Sequence, residues 1–248
     1  INCWKLISSL EGKTLKIMKC GIMNKSSLRV LAVSSGKGGV GKTTIVANLA
    51  YALSKRGKKV LVVDTDLGLN NIDILFGLTS KKHIGHVLSG KSNVEDIILH
   101  GPEGIHILPA GNGLQELTQL EPEKKMALMD ELDRISGDYD FLIFDTSAGI
   151  SSNVTFFCSV AHETFLIATT EPTSLTDVYA LMKVLHTKHS QKHFRLIINS
   201  VSSEREGQGV YRQLTKVADG FLKGVHVEYL GYILRDPNVS KAIRQQKV

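Results

Sequence analysis

The sequence predicts a doubly wound α/β domain: a mostly parallel sheet with helices on both faces. Three observations lead there. Short runs rich in Val, Ile and Leu recur along the chain. They are nearly continuous in apolar character rather than alternating, as expected of strands covered on both sides. Longer amphipathic segments separate them, and strand–helix alternation of this kind builds parallel sheets. The expected strands are 29–34, 60–64, 105–109, 141–145, 165–169, 196–199 and 229–234. The expected helices are 42–56, 122–135, 174–189 and 210–222. Residues 29–248 contain no repeat, low-complexity tract or linker and are assigned to one domain.

Composition narrows the class. The chain has 248 residues, 42% hydrophobic and 22% charged, which is ordinary for a globular protein. No apolar run approaches the ~18 residues that span a bilayer. Cys3, Cys20 and Cys158 are scattered, with neither zinc-ligand spacing nor a disulfide framework, so a reducing cytoplasm is the expected compartment. Residues 1–28 hold five lysines and one glutamate, so they carry +4 of the net +6. The body is close to neutral, and charge gives no reason to expect direct nucleic-acid binding. The first 28 residues lack sustained periodicity, and Met23 lies just upstream of the first strand. Two readings stay open: a non-native leader ending before Met23, or a poorly ordered arm. A secretory signal is not expected, because the segment has no continuous apolar core.

The first chemical signal is Gly36-Lys37-Gly38-Gly39-Val40-Gly41-Lys42-Thr43, which fits G-x-x-x-x-G-K-S/T. A hydrophobic strand feeds in and a helix pattern leads out, the setting that motif requires. Its glycines let backbone N–H groups converge on phosphate oxygens, and the helix N-terminus adds a positive dipole end. Lys42 is expected at the β- and γ-phosphates and the Thr43 hydroxyl at Mg²⁺. Two apolar runs then end in carboxylates, Asp64-Thr65-Asp66 and Phe141-Leu142-Ile143-Phe144-Asp145. Ligands of open α/β sheets sit at that strand edge. Asp145 is the candidate Mg²⁺ ligand, and Asp66 the candidate for orienting the attacking water. Asp64 is expected to help hold the Mg²⁺ shell or the loop. Gly149 is expected to bring a backbone N–H near the γ-phosphate.

Lys37 adds a second lysine at the start of the loop. With Ser35 and Thr44, the segment resembles the deviant Walker A loop of the MinD/ParA ATPases. The resemblance covers roughly residues 28–246 and implies a MinD-like P-loop NTPase fold with slow ATP hydrolysis. In that family the first lysine crosses a dimer interface to the partner's nucleotide, which implies that role for Lys37 and an ATP-dependent homodimer. It also implies ATP as the nucleotide. Asn199 ends an apolar strand where the family places an asparagine at adenine, though an ordinary turn residue remains an alternative; Pro237 lies in the loop of the opposite wall. No N/T-K-x-D guanine motif is present.

Within the family, Asp64-Thr65-Asp66-Leu67-Gly68-Leu69-Asn70-Asn71-Ile72-Asp73 is similar to the first switch of MinD and FlhG. Asp145-Thr146-Ser147-Ala148-Gly149-Ile150 is nearer to the D-T-G-A-G-I of the FlhG branch, apart from Ser147. The resemblance implies regulation of flagellar number and placement, with a MinD-type division-site role as the alternative. The partners it implies are an FlhF-type SRP GTPase and a flagellar transcriptional activator. A D-Q-A-x-x-L-R motif is absent, and no C-terminal amphipathic helix follows before Val248, so contact with the inner face of the membrane is expected by analogy only. The metal-cluster carriers of the Mrp type need a C-x-x-C pair, which this chain lacks. His186, His189 and His193 share one helical spacing, but the interleaved lysines favour a solvated helix end over a metal site.

Overall fold

A computed structural model describes residues 28–67, 72–111 and 120–247. The extension 1–27 and residues 68–71 of the first switch lie outside the described residues. Leu28, assigned above to the extension, is already buried in the core.

The strands are β1 (Arg29–Ser35), β2 (Val60–Asp64), β3 (Leu99–His100), β4 (His106–Leu108), β5 (Phe141–Ala148), β6 (Glu163–Ala168), β7 (His193–Val201) and β8 (His226–Leu234). The helices are α1 (Lys42–Ser54), α2 (Ile72–Leu75), α3 (Ile84–Leu88), α4 (Pro122–Ile135), α5 (Ser152–Val160), α6 (Pro172–His189), α7 (Glu204–Phe221) and α8 (Pro237–Arg244). One eight-stranded sheet runs in the order β3-β4-β2-β5-β1-β6-β7-β8. All neighbours are parallel except β3 and β4.

The continuous apolar runs have a simple cause. Leu31 and Val33 of β1, Val60 and Val62 of β2, and Phe141 and Ile143 of β5 pack into the core that holds Ile45, Leu49 and Leu53 of α1. Their alternates Val30, Ala32, Leu61, Val63, Leu142 and Phe144 pack into the opposite core with residues of α4, α5, α6 and α7. Successive side chains of a strand point to opposite faces, and here both faces are dry.

Chain order places the site. β1 lies between β5 and β6, so the loop leaving β1 emerges at the middle of the sheet. In register, Val33 pairs with Asp145 and Asp64 pairs with Asp145. The C-terminal ends of β1, β2 and β5 are therefore level. A bulge between Val33 and Ser35 lets β5 run on to Ala148.

Several sequence expectations needed correction, and β7 and β8 each begin three residues earlier than expected, at His193 and His226. β5 is longer than 141–145, because the polar stretch Thr146–Ala148 still pairs with β1. α7 begins at Glu204 rather than at residue 210. Its first turns are polar, and Ser203 caps them by accepting the N–H of Glu206. The S-x-x-E spacing was the available signal. The short β3 edge and helices α2, α3, α5 and α8 were not anticipated, since brief segments leave little periodicity to read.

At the far, N-terminal ends of the strands an alternating charge ladder crosses four of them. Arg29 of β1 pairs with Glu163 of β6, Glu163 with Arg195 of β7, and Arg195 with Glu228 of β8. The Glu163 and Arg195 side chains are only 11% and 8% exposed. Removing one member of so buried a pair strands the others. Glu163→Ala is expected to lower the free energy of unfolding by about 3 kcal/mol. Arg134→Ala, which breaks two solvent-exposed ion pairs, to Glu95 and Glu131, is expected to cost about 1 kcal/mol or less. Urea denaturation of the two variants checks the contrast; equal losses would refute it.

Candidate functional site

The loop between β1 and α1 is shaped by its glycines. Gly41 occupies the helix N-cap with φ +90°, a left-handed conformation that favours glycine. A Cβ there would also sit 2.4 Å from the Asn199 amide nitrogen. At the other end, a Cβ on Gly36 would fall 2.2 Å from backbone carbon of Asp177 in α6. Both ends of the loop are thus pressed against neighbouring elements.

Two cavities adjoin at this loop. One, of about 520 Å³, is lined by Gly38 to Thr44, together with Ser35, Asp66, Ile74 and Ala148. The other, of about 790 Å³, runs from Gly39–Gly41 and Thr44 to Asn199, Asp236 and Pro237. The first has the residues expected around phosphates. The second joins the two positions expected to flank a base.

Charge in the first cavity is finely opposed. Lys42 Nζ lies 3.9 Å from Asp145 Oδ1. Burial pushes the Asp145 carboxyl up to about 6, against the pull of Lys42 and a hydrogen bond from Thr43; nearby Asp66 raises it further. Burial also raises Asp66, offset in part by Lys42. Lys42, Thr43, Asp66 and Asp145 therefore share one electrostatic environment.

Mg²⁺ fits this donor set. Asp145 Oδ1 is buried without a hydrogen-bond partner, beside the Thr43 hydroxyl and the Asp66 carboxylate. Hard oxygen donors, few in number, suit a cation that completes its octahedron with phosphate oxygens and water. Asp64 is fully buried, and its Oδ1 accepts the Asp66 N–H at 3.0 Å, holding the turn that carries Asp66. Like Asp145, it lies behind the residues that line the two cavities.

The remaining expected residues fall as follows. Asn199 lines the larger cavity, but its amide donates to the Val40 carbonyl at 2.7 Å and accepts from Ser200 N–H at 2.9 Å. That leaves the amide with one further N–H and one lone pair. Gly149 has φ +94°, and its N–H donates to the Ser35 carbonyl at 2.9 Å. Thr146, buried beside it, donates to the Ser34 hydroxyl at 2.9 Å, tying this segment to β1. Lys37 does not line its own cavity; its ammonium pairs with Glu171 and donates to Thr173 Oγ1 at 3.1 Å. Glu171, Thr173 and Ile243 of α8 are site neighbours the sequence analysis missed. Only the sheet order brings them to the loop. His186 and His189 lie in the last turn of α6 and His193 opens β7, so the three histidines do not share one helix.

Comparison with known proteins agrees with this geometry. The family model described as "AAA domain" matches residues 28–198. The antiactivator FleN of Pseudomonas aeruginosa is 42% identical over 89% of this chain and 78% of its own. The flagellum site-determining protein YlxH of Helicobacter pylori is 33% identical over 91% of this chain and 76% of its own. The septum site-determining protein MinD of Pyrococcus horikoshii, solved with Mg-ADP, superposes with a TM-score of 0.72 at 26% identity, covering 89% of this chain and 86% of that one. Likeness of this depth over nearly the whole domain makes the chain a member of the MinD/ParA-type P-loop ATPases.

Proposed function

We propose that this ATPase is a MgATP-dependent dimerisation switch that regulates flagellar number and placement. The observation that carries the reading is the division of labour between two lysines of one loop. Lys42 faces inward to Asp145, while Lys37 is directed out of its own cavity.

Lys42 and the loop's backbone N–H groups would hold the β- and γ-phosphates of ATP. Asp145 and Thr43 would hold Mg²⁺, which supplies charge neutralisation at the phosphates when bound. Asp66 would accept a hydrogen bond from a water aligned with the γ-phosphorus. As that water's oxygen bonds to phosphorus, the bond to the ADP oxygen breaks, and ADP and phosphate are the products. The adenine would enter the larger cavity between Asn199 and Pro237.

The rim supports a face-to-face dimer. Ile74, on the phosphate cavity, is 49% exposed, and Ile150, just past Gly149, is 52% exposed. Apolar residues beside a charged cleft favour a protein surface as cover. Two facing triphosphates would repel, and Lys37 from each protomer would offset that repulsion across the interface. Dimerisation would then depend on the γ-phosphate and end with hydrolysis. An activating partner would set the turnover, since a switch must persist to be read.

Likeness to FleN and YlxH supports the flagellar role, with an FlhF-type GTPase and a flagellar transcriptional activator as the partner classes. Placement in the cytoplasm, with peripheral contact at the membrane's inner face, belongs to the same reading. Among the described residues no helix is long and apolar enough to cross a membrane. A division-site role of the MinD type is the second reading, favoured by the superposition on MinD.

Three measurements test these statements. Asp66→Ala with ATP is expected to elute as a trapped dimer in size-exclusion chromatography; a monomer at saturating ATP would refute the switch. Lys37→Ala is expected to abolish the dimer while changing ATP affinity less than about tenfold, since Lys42 and the backbone still bind the phosphates. Unchanged dimerisation would remove the crossing role. Deleting the gene in the source organism is expected to alter flagella per cell; normal flagella with misplaced septa would favour the second reading.

A further inference from the structure

Three pairs of histidines lie close together among the described residues, and their chemistry differs. The ring centres of His83 and His86 are 4.1 Å apart. The Nδ1 of His83 accepts the Gly85 N–H, and the Nδ1 of His86 accepts the His83 N–H. Both rings therefore carry their proton on Nε2, and neither has a lone pair left to offer. His193 and His226 stand opposite each other on β7 and β8, but their ring centres are 6.0 Å apart. His100 of β3 and His106 of β4 differ from both pairs. Their ring centres are 4.6 Å apart, and the rings meet at 83°.

The backbone sets that closeness. His100 lies directly opposite His106 in the antiparallel pair β3–β4. The Gly101 N–H donates to the Ile105 carbonyl at 2.7 Å. The histidines, one step along the ladder, thus occupy a non-hydrogen-bonded position, where facing side chains come closest.

His106 is also prepared to act as a ligand. Its Nδ1 lies 2.8 Å from the Tyr139 hydroxyl, which leaves Nε2 as the nitrogen open to a ligand. Burial, with a smaller push from His100, holds His106 below the ordinary histidine range, so the ring is neutral at pH 7. Burial pushes Tyr139 up to about 12, so its oxygen stays a hydroxyl and can accept the Nδ1 proton. Proteins orient metal-binding histidines in this way, with an oxygen on the ring nitrogen that does not bind the ion. His100 is exposed, which gives an ion a path from solvent.

The spacing fits one shared ion. A zinc–nitrogen bond of about 2.0–2.1 Å puts the centre of an imidazole about 3.2 Å from the metal, so two rings on one ion have centres about 4.5–5.2 Å apart. The His100–His106 separation falls inside that range, and the His193–His226 separation falls outside it. We propose that His100 and His106 form a site for a divalent transition-metal ion of the zinc and copper kind, with water completing its shell and Tyr139 as the positioning residue behind His106. Imidazole suits such ions, whereas Mg²⁺ takes oxygen ligands. The ion would clip the two-residue edge strand β3 to β4. His106 pairs in register with Leu61, three residues before Asp64 on β2. The site is therefore apart from the phosphate loop and independent of the nucleotide reading.

Two measurements test the site. The first is a calorimetric titration with Zn²⁺ in Mg²⁺ buffer, using protein free of any affinity tag. His100→Ala, at an exposed position, is expected to lose one bound equivalent, and His106→Gln to lose the same one. Tyr139→Phe is expected to keep that equivalent and weaken it about 10- to 100-fold. A His100→Ala titration that matches the unaltered protein overturns the site, since the zinc would then sit on other groups. The second is electron paramagnetic resonance with one equivalent of Cu²⁺, which is expected to bind more tightly than Zn²⁺. Splitting from two imidazole nitrogens is expected in the unaltered protein and from one in His100→Ala. A single nitrogen in the unaltered protein overturns the shared ion.

Discussion

The ammonium of Lys42, 3.9 Å from the buried carboxylate of Asp145, is the contact on which the site depends. Neither group is tolerable alone where it sits. A carboxylate buried at the strand edge is expensive in its charged form, and burial drives it towards protonation. A lysine at the positive end of a helix meets an unfavourable dipole. Each offsets the other's cost, and the Thr43 hydroxyl bonds the same carboxylate. The arrangement leaves Asp145 Oδ1 without a hydrogen bond, a position suited to a hard cation. The contact exists because β1 and β5 are neighbours and end level with each other.

Around that centre most of the loop is tied from several sides. The phosphate loop is fixed: Gly36 against α6, Gly41 against Asn199, and the Val40 carbonyl bound by the Asn199 amide. Thr146 and Asp64 hold the two carboxylate-bearing turns from behind. The groups at the rim are tied by fewer contacts. Lys37 is a side chain on a clamped backbone, and Gly149 has one backbone hydrogen bond to Ser35.

Much of this was legible in the chain. Strands 60–64 and helix 122–135 have the limits their patterns imply. The motif residues Lys42, Thr43 and Asp66 line one cavity, and Asp145 is buried 3.9 Å from the Lys42 ammonium. The failures have physical causes. β5 outlasts its apolar run, since backbone pairing to Ala148 needs no apolar side chain. α7 starts early, since a serine cap and acidic first turn stabilise a helix that hydrophobic spacing does not reveal.

What the sequence determined by itself is local: which segments are dry on both faces, where a phosphate loop must turn, and which side chains carry charge at strand ends. Those properties depend on a few consecutive residues, so one chain suffices to read them. What only the tertiary structure decided is adjacency. The order β2-β5-β1-β6 puts Asp145 beside Lys42 on one side of the loop and Glu171 beside Lys37 on the other. Such pairings join residues far apart in the chain. They follow from which strands pack side by side, a choice made by the burial of the whole sheet rather than by any segment of it.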